Sequence, residues 1–220
     1  MSGEPFWFIL AFAKKKILRF TMFLLQHLLL YLFVSTITDT FQAVDLATLE
    51  ALNSSRVTDL DILLLALTMS AYGLGAVVPV ALYLLGHIRK SAALRLKAFQ
   101  YVLAMCLMVG VIGALKYTVN RTRPFIGHHS IERIAEASSP SFPSGHTAFA
   151  FTAAVALALM FRNAPLRITV LAWAVLVAYS RLALGVHYPS DVLASILIGT
   201  TAAMAAHYTF RKYGSLAPIR

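Results

Sequence analysis

Residues 179–191 read YSRLALGVHYPSD, and they decide what kind of helix the last third of the chain can form. The residues on either side, 168–180 and 192–206, are uncharged, as is the earlier run 147–161. These three runs are thirteen, fifteen and fifteen residues long, short of the roughly 20 apolar residues that a membrane-crossing helix needs. Each reaches full length only if the chain around His146, Arg181 or Asp191 is drawn into the membrane zone. An ionised side chain at the centre of such a helix costs about 2.5–3.5 kcal/mol. Three costly residues at one end of three spans therefore need partners there.

The rest of the chain agrees with a membrane setting. It is 59% hydrophobic and only 13% charged over 220 residues, against about 25% charged in soluble domains. The uncharged runs predict an all-α, polytopic membrane protein with six transmembrane helices in one bundle, near 18–37, 60–86, 98–119, 143–161, 166–182 and 189–207. A single domain, 1–220, accounts for that length. Between the first two spans, segment 38–60 carries Val44, Leu46, Leu49 and Leu52 near helical spacing, which predicts a short amphipathic helix on the outer surface. The N-terminal MSGEPFWFILAFAKKK has no basic region ahead of its apolar stretch, unlike a signal peptide. It suits an interfacial helix over 1–17 with Trp7 and Phe8 at the headgroups. Cys106 lies alone in an apolar run and is expected as a small buried hydrophobe, with no disulfide to form.

The net charge of +10 is explained by topology. Lys14, Lys15, Lys16, Arg19, Arg89, Lys90, Arg95, Lys97, Arg162, Arg167, Arg211, Lys212 and Arg220 fall on one side of the six-span scheme. The other side holds Arg56, Lys116, Arg121, Arg123, Arg133 and Arg181. This bias predicts a multi-pass protein of the cell (inner) membrane, with both termini cytoplasmic and the motif-bearing end facing the periplasm or cell exterior. Cations divided among four short cytoplasmic segments do not make a nucleic-acid footprint, so no nucleic-acid partner is expected.

Three polar clusters share the outer end. In KYTVNRTRP, Lys116 precedes Arg123-Pro124 by seven residues; in FPSGHTAFAF, Pro143, Ser144, Gly145 and His146 open a span; the third holds Ser180, Arg181, His187 and Asp191. Lys116, Arg123 and Arg181 supply positive charge and many donors, and arginine forks match tetrahedral oxyanions. Ser144 and Gly145 leave backbone N–H groups free at a helix N-terminus, and Gly145 admits an anion close to the backbone. Pro189 disfavours a helical Tyr188, so His187 belongs in a turn and Asp191 in the first helical turn after it. The carboxylate can then fix one imidazole nitrogen and leave the other as a nucleophile, while His146 is free to act as an acid. Blander roles suit the other candidates: His27, His87 and His207 as helix-end histidines, His128 and His129 as solvated loop residues, Arg121 and Arg133 as loop or headgroup contacts.

These clusters, K-x6-R-P at 116–124, P-S-G-H at 143–146 and S-R-x5-H-x3-D at 180–191, resemble the three-part signature of the type 2 phosphatidic acid phosphatase superfamily. The superfamily includes lipid phosphatases, glucose-6-phosphatase and vanadium haloperoxidases; membrane spans disfavour the last. All three pieces are complete and in order. The resemblance implies that His187 attacks phosphorus to give a phosphohistidine, Asp191 orients it, and His146 protonates the leaving oxygen and later activates water. Lys116, Arg123, Ser144, Gly145 and Arg181 would hold the phosphoryl oxygens. No metal and no cofactor is implied, since Asp191 is the one motif carboxylate. The expected partners are the bilayer and a lipid phosphate substrate: a polyprenyl (undecaprenyl) diphosphate, phosphatidylglycerol phosphate, phosphatidic acid or lipid A 1-phosphate. A lipid phosphotransferase with the same intermediate and a phosphate or lipid-phosphate transporter are the alternatives, and neither substrate identity nor oligomeric state is encoded in these motifs.

Overall fold

The structure, a computed structural model, describes residues 40–214. The chain divides into compact units 1–44 and 45–220, and the second carries the bundle. The expected span 18–37 and the interfacial segment 1–17 lie outside the described residues. Within the second unit, residues 45–54 are helical (α1) and a 3₁₀ turn covers Thr58–Leu60. There follow α2 (Asp61–Ile88), α3 (Ala92–Val119), the short α4 (Pro124–Gly127), α5 (Gly145–Met160), α6 (Ala164–Ala183) and α7 (Pro189–Gly214). The five later spans expected from the uncharged runs thus coincide with α2, α3, α5, α6 and α7, within a few residues at most ends and seven at the C-terminus of the last. Among the described residues, four stretches are long and apolar enough to cross a membrane: Thr58–Ile88, Ala92–Gly127, Ala164–Ala183 and Pro189–Arg211. Their outward faces are apolar, with Ile62, Val77, Ile168, Leu193 and Leu197 exposed, as a lipid solvent requires. The protein is a polytopic, all-helical membrane protein.

The exception in length is α5, with 16 residues. It is apolar all round and sits in the centre, with Ala148, Ala150, Thr152, Ala153, Ala154 and Ala156 all buried. Small side chains permit this. Ala148, Thr152 and Ala156 recur every fourth residue and face a matching ridge of Ser195, Gly199 and Ala203 on α7. A Cβ at Gly199 would stand 2.8 Å from the Ala148 carbonyl oxygen and 3.0 Å from the Thr152 nitrogen, so only glycine allows this backbone approach. On the other flanks α5 packs through Phe151 and Ala154 against Ala71 of α2 and Ala174 and Val177 of α6.

Helix ends place the polar residues. Asn120 closes α3 in the left-handed conformation, at φ 47°, with its N–H bonded to the Lys116 carbonyl, a conformation that asparagine adopts more readily than most residues. The chain then turns back, carrying residues 121–123 over the end of the bundle. Gly185, at φ 70°, reverses the chain after α6, and a Cβ there would lie 2.2 Å from the Glu132 carbonyl oxygen. At the start of α7, Pro189 occupies the first helical position, and the Asp191 carboxylate accepts from the Tyr188 N–H at 3.0 Å, the returning half of a capping box.

The outer helix α1 rests on protein. Its inward face presents Leu49 to Ile131 and Tyr188. Buried Asn53 accepts from Glu132 N–H at 2.8 Å and donates to the carbonyls of Ala183 (2.8 Å) and Glu132 (3.1 Å). Arg56, also buried, bonds Asp61, Glu132 and the Asn53 carbonyl. The tether fixes the loop after α4 against the end of α6. Cys106 departs from expectation: it is exposed on the flank of α3 rather than buried, since an apolar environment is available on a membrane protein's surface as well as in its core.

Candidate active site

All three motifs meet at one end of the bundle. His146 is in the first turn of α5, Arg181 in the last turn of α6, His187 in the turn before α7 and Asp191 in the first turn of α7; Lys116 ends α3 and Arg123 precedes α4. Lys116, Arg123, Arg181 and His187 all lie near enough to act electrostatically on His146. The structure therefore brings the eight candidate residues into one cluster, with Ser144 and Gly145 at the N-terminus of α5.

His187 is 2% exposed and its ring stands between two charges. Nδ1 is 3.5 Å from Asp191 Oδ2, and Nε2 is 3.4 Å from an Arg123 Nη1. The former contact is longer than a charge-assisted hydrogen bond, and catalytic contacts without substrate are often long. Burial holds the imidazole below the ordinary histidine value, at about 4, with Arg181 and Arg123 pushing the same way and Asp191 opposing. At neutral pH the ring is uncharged, and with its proton on Nδ1, the nitrogen nearer Asp191, Nε2 would offer its lone pair toward the arginine side, where an anion would be held.

The cations rest on neutral acceptors. Arg123 donates to the Ser139 carbonyl (2.8 Å) and the Val186 carbonyl (2.7 Å) and Lys116 Nζ to the Pro140 carbonyl (2.6 Å), while Arg181 bonds the Thr68 hydroxyl at 2.8 Å. A doubly charged phosphate is a stronger acceptor than any of these and would compete for the same donors. Among the described residues, three buried nitrogens, His146 Nε2, Arg181 Nε and His187 Nδ1, have no hydrogen-bond partner. Ser144 precedes α5 without capping it through its side chain; its hydroxyl meets Thr147 Oγ1 at 3.0 Å. The first N–H groups of α5 thus keep the donor capacity of a helix N-terminus. An open pocket of about 290 Å³ adjoins the cluster, lined by Arg121, Arg123, Ser138, Ser139 and Pro140 among others.

Sequence reasoning missed several neighbours. Arg121, expected as a loop or headgroup contact, instead bonds Asp191 Oδ1 at 2.6 Å, Ser190 Oγ at 2.7 Å and Asp45 Oδ2 at 2.7 Å. Ser141 Oγ donates to Asp191 Oδ2 at 2.5 Å. The ring of Tyr72, on α2, lies 4.3 Å from that of His146, and its hydroxyl would be 3.1 Å from a Cβ at Gly145. No fixed spacing links these residues to the motifs; the available signal was a polar residue inside or beside an apolar run. Arg133 is a loop residue, paired with Glu136 and stacked on Phe125. Gln100 and His207 pair at 3.1 Å on α3 and α7, away from the cluster.

Comparison with known proteins agrees with this geometry. The chain belongs to the PAP2 superfamily, whose sequence profile matches residues 97–215. It is 33% identical over 100 residues to the undecaprenyl-diphosphatase BcrC of Bacillus subtilis, covering 42% of this chain and 51% of that protein. It is 31% identical over 121 residues to a lipid A 4'-phosphatase of Bacteroides thetaiotaomicron, covering 47% and 54%. The matches thus span about half the length of these relatives. Among solved structures, Aquifex aeolicus LpxE superposes with a TM-score of 0.61 at 28% identity, over 73% of this chain and 93% of that one.

Proposed function

We propose that this protein is a membrane phosphatase that hydrolyses a lipid phosphomonoester or diphosphate through a phosphohistidine. The observation that carries this is the placement of His187, with Nε2 3.4 Å from an Arg123 Nη1 and Nδ1 3.5 Å from Asp191 Oδ2. Nε2 attacks phosphorus in line with the ester oxygen. The N–P bond forms, the P–O bond breaks, and His146 gives a proton to the departing oxygen. Water, deprotonated by His146, then attacks the phosphohistidine, releasing inorganic phosphate and restoring His187. Lys116, Arg123, Arg181 and the α5 N-terminus at Ser144 and Gly145 hold the equatorial oxygens, where charge is spread in the transition state. The site faces the periplasm or cell exterior, following the positive-inside bias.

The names of the relatives, an undecaprenyl-diphosphatase and a lipid A 4'-phosphatase, support a lipid-borne phosphate as substrate. A phosphotransferase would share every step up to the phosphohistidine and differ only in its acceptor. The test is purified full-length protein in detergent, given undecaprenyl diphosphate, phosphatidylglycerol phosphate, phosphatidic acid and lipid A side by side. Release of inorganic phosphate from at least one is expected. Phosphate transfer to a second lipid without release would make it a transferase, and neither outcome would leave a transporter.

A further inference from the structure

We propose that Arg121, anchored by Asp45, is a positioning residue that fixes the Asp191 carboxylate and takes up part of its charge, so that His187 meets an oriented but partly neutralised partner. This inference rests on the phosphohistidine reading. The Asp191 side chain is completely buried. Its Oδ1 is occupied by Arg121 Nη1, and its Oδ2 accepts from Ser141 Oγ and from Tyr188 N–H, with His187 Nδ1 3.5 Å away. Among the described residues, Arg121 is the charged hydrogen-bond donor to this carboxylate. It does not touch the reacting nitrogen and acts through Asp191.

Arg121 is itself held on several sides. Its guanidinium lies 3.9 Å above the Tyr188 ring, Nη1 also meets Ser190 Oγ, and Nη2 meets Asp45 Oδ2. Asp45 in turn accepts from the Ser190 N–H at 2.8 Å and from the Ser190 hydroxyl. Arg121 therefore stands between two buried carboxylates, with side chains 8% and 0% exposed. Asp45 lies on α1, outside the region 97–215 that matches the family profile. A helix beyond that region thus reaches His187 through two intermediaries, Arg121 and Asp191.

The alternative is a tie that only holds α1 and the 121–123 turn in place, and the two differ in electrostatics. His187 faces Arg123 from the segment before α4, His146 from α5, Arg181 from α6 and Asp191 from α7, with Tyr72 of α2 behind His146. Removing the Arg121 charge leaves all of these in place while exposing His187 to the whole Asp191 charge. Imidazolium is then favoured, and the histidine should protonate at higher pH.

The experiment uses full-length protein with ¹⁵N-labelled histidine in detergent micelles. The ring signals of His187 are assigned by their loss in His187→Gln. Arg121→Gln should raise the protonation midpoint of His187 by about one pH unit and slow phosphoenzyme formation about tenfold, with KM within twofold of the parent. Arg121→Lys should return the midpoint toward that of the parent while recovering only part of the rate, because the fork is lost. A midpoint unmoved in Arg121→Gln, with only the unfolding temperature lowered, overturns the proposal. If Arg121→Gln does not fold, Asp45→Asn carries the test with the opposite sign: it leaves Arg121 wholly to Asp191 and must lower the midpoint, and an unchanged or raised one overturns the proposal. The titration needs no turnover, so a parent protein that forms no phosphoenzyme would refute the catalytic assignment and still leave this coupling measurable.

Discussion

The proposed chemistry turns on a single buried ring, and its environment sets the pH at which it could act. His187 is neutral above about pH 4 because burial penalises its charged form. In the proposed mechanism the neutral imidazole is the nucleophile, so the histidine would be competent at neutral pH, with its contribution lost as pH falls through that value. We expect the acid limb of phosphoenzyme formation near pH 4, read by rapid quench at successive pH values; a limb near the ordinary histidine value would mean that another group controls the step. His187→Ala should abolish the acid-labile phosphoenzyme, and near-normal phosphate release by that variant would remove His187 from the mechanism. The proximity of His187 and Asp191 was legible in the sequence because they lie four residues apart, with Pro189 between them to start the helix. Arg121 was not. Its partners Asp45 and Asp191 lie 76 and 70 residues away in sequence, and nothing in the local pattern separates it from an arginine facing solvent.

At the scale of elements, the packing of α5 on α7 depends on Gly199 having no side chain. Gly199→Ala would force a Cβ to 2.8 Å from the Ala148 carbonyl oxygen, a contact with backbone that cannot swing aside. A loss of about 1–3 kcal/mol is expected, read as a lower unfolding temperature in detergent. Gly113→Ala on α3, where a Cβ meets nothing within 4 Å, is the matched control and should cost nothing. Equal losses in both would refute the account of this interface. The uncharged runs placed these helices to within a few residues at most ends, because a change from lipid-soluble to charged residues marks where a span stops. They did not foretell that α5 would be central: a run of alanines reads equally well as a lipid-facing or a buried helix, and only the matching ridge on α7 decides between them.

For the whole molecule, charge distribution and site chemistry make separate predictions. Reporter fusions after Lys90 should report cytoplasm and those near Arg56 the outside, given the basic residues clustered at Arg89, Lys90, Arg95 and Lys97. An outside signal at Lys90 would reverse the face on which catalysis occurs. If Lys116, Arg123 and Arg181 supply the positive charge as proposed, EDTA should leave activity intact, and vanadate should inhibit by adopting a five-coordinate geometry on His187. Activity restored only by Mg²⁺ would contradict this. The shortness of α5 reaches furthest. Its 16 residues rise roughly 24 Å, against about 30 Å of hydrocarbon. Exposed Arg162 follows its C-cap Phe161, and Arg167 binds the carbonyls of Ala158 and Phe161, charges that would hold the C-terminal end at the water boundary. In a bilayer of that thickness the shortfall of about 6 Å would fall at His146, setting the proposed phosphate cradle below the level of the surrounding headgroups. A lipid substrate would then have to sink, or the leaflet to dimple, before its phosphate could be reached. Membrane thickness becomes a control on turnover: in vesicles of increasing acyl-chain length, the rate should fall as the dimple becomes costlier to form.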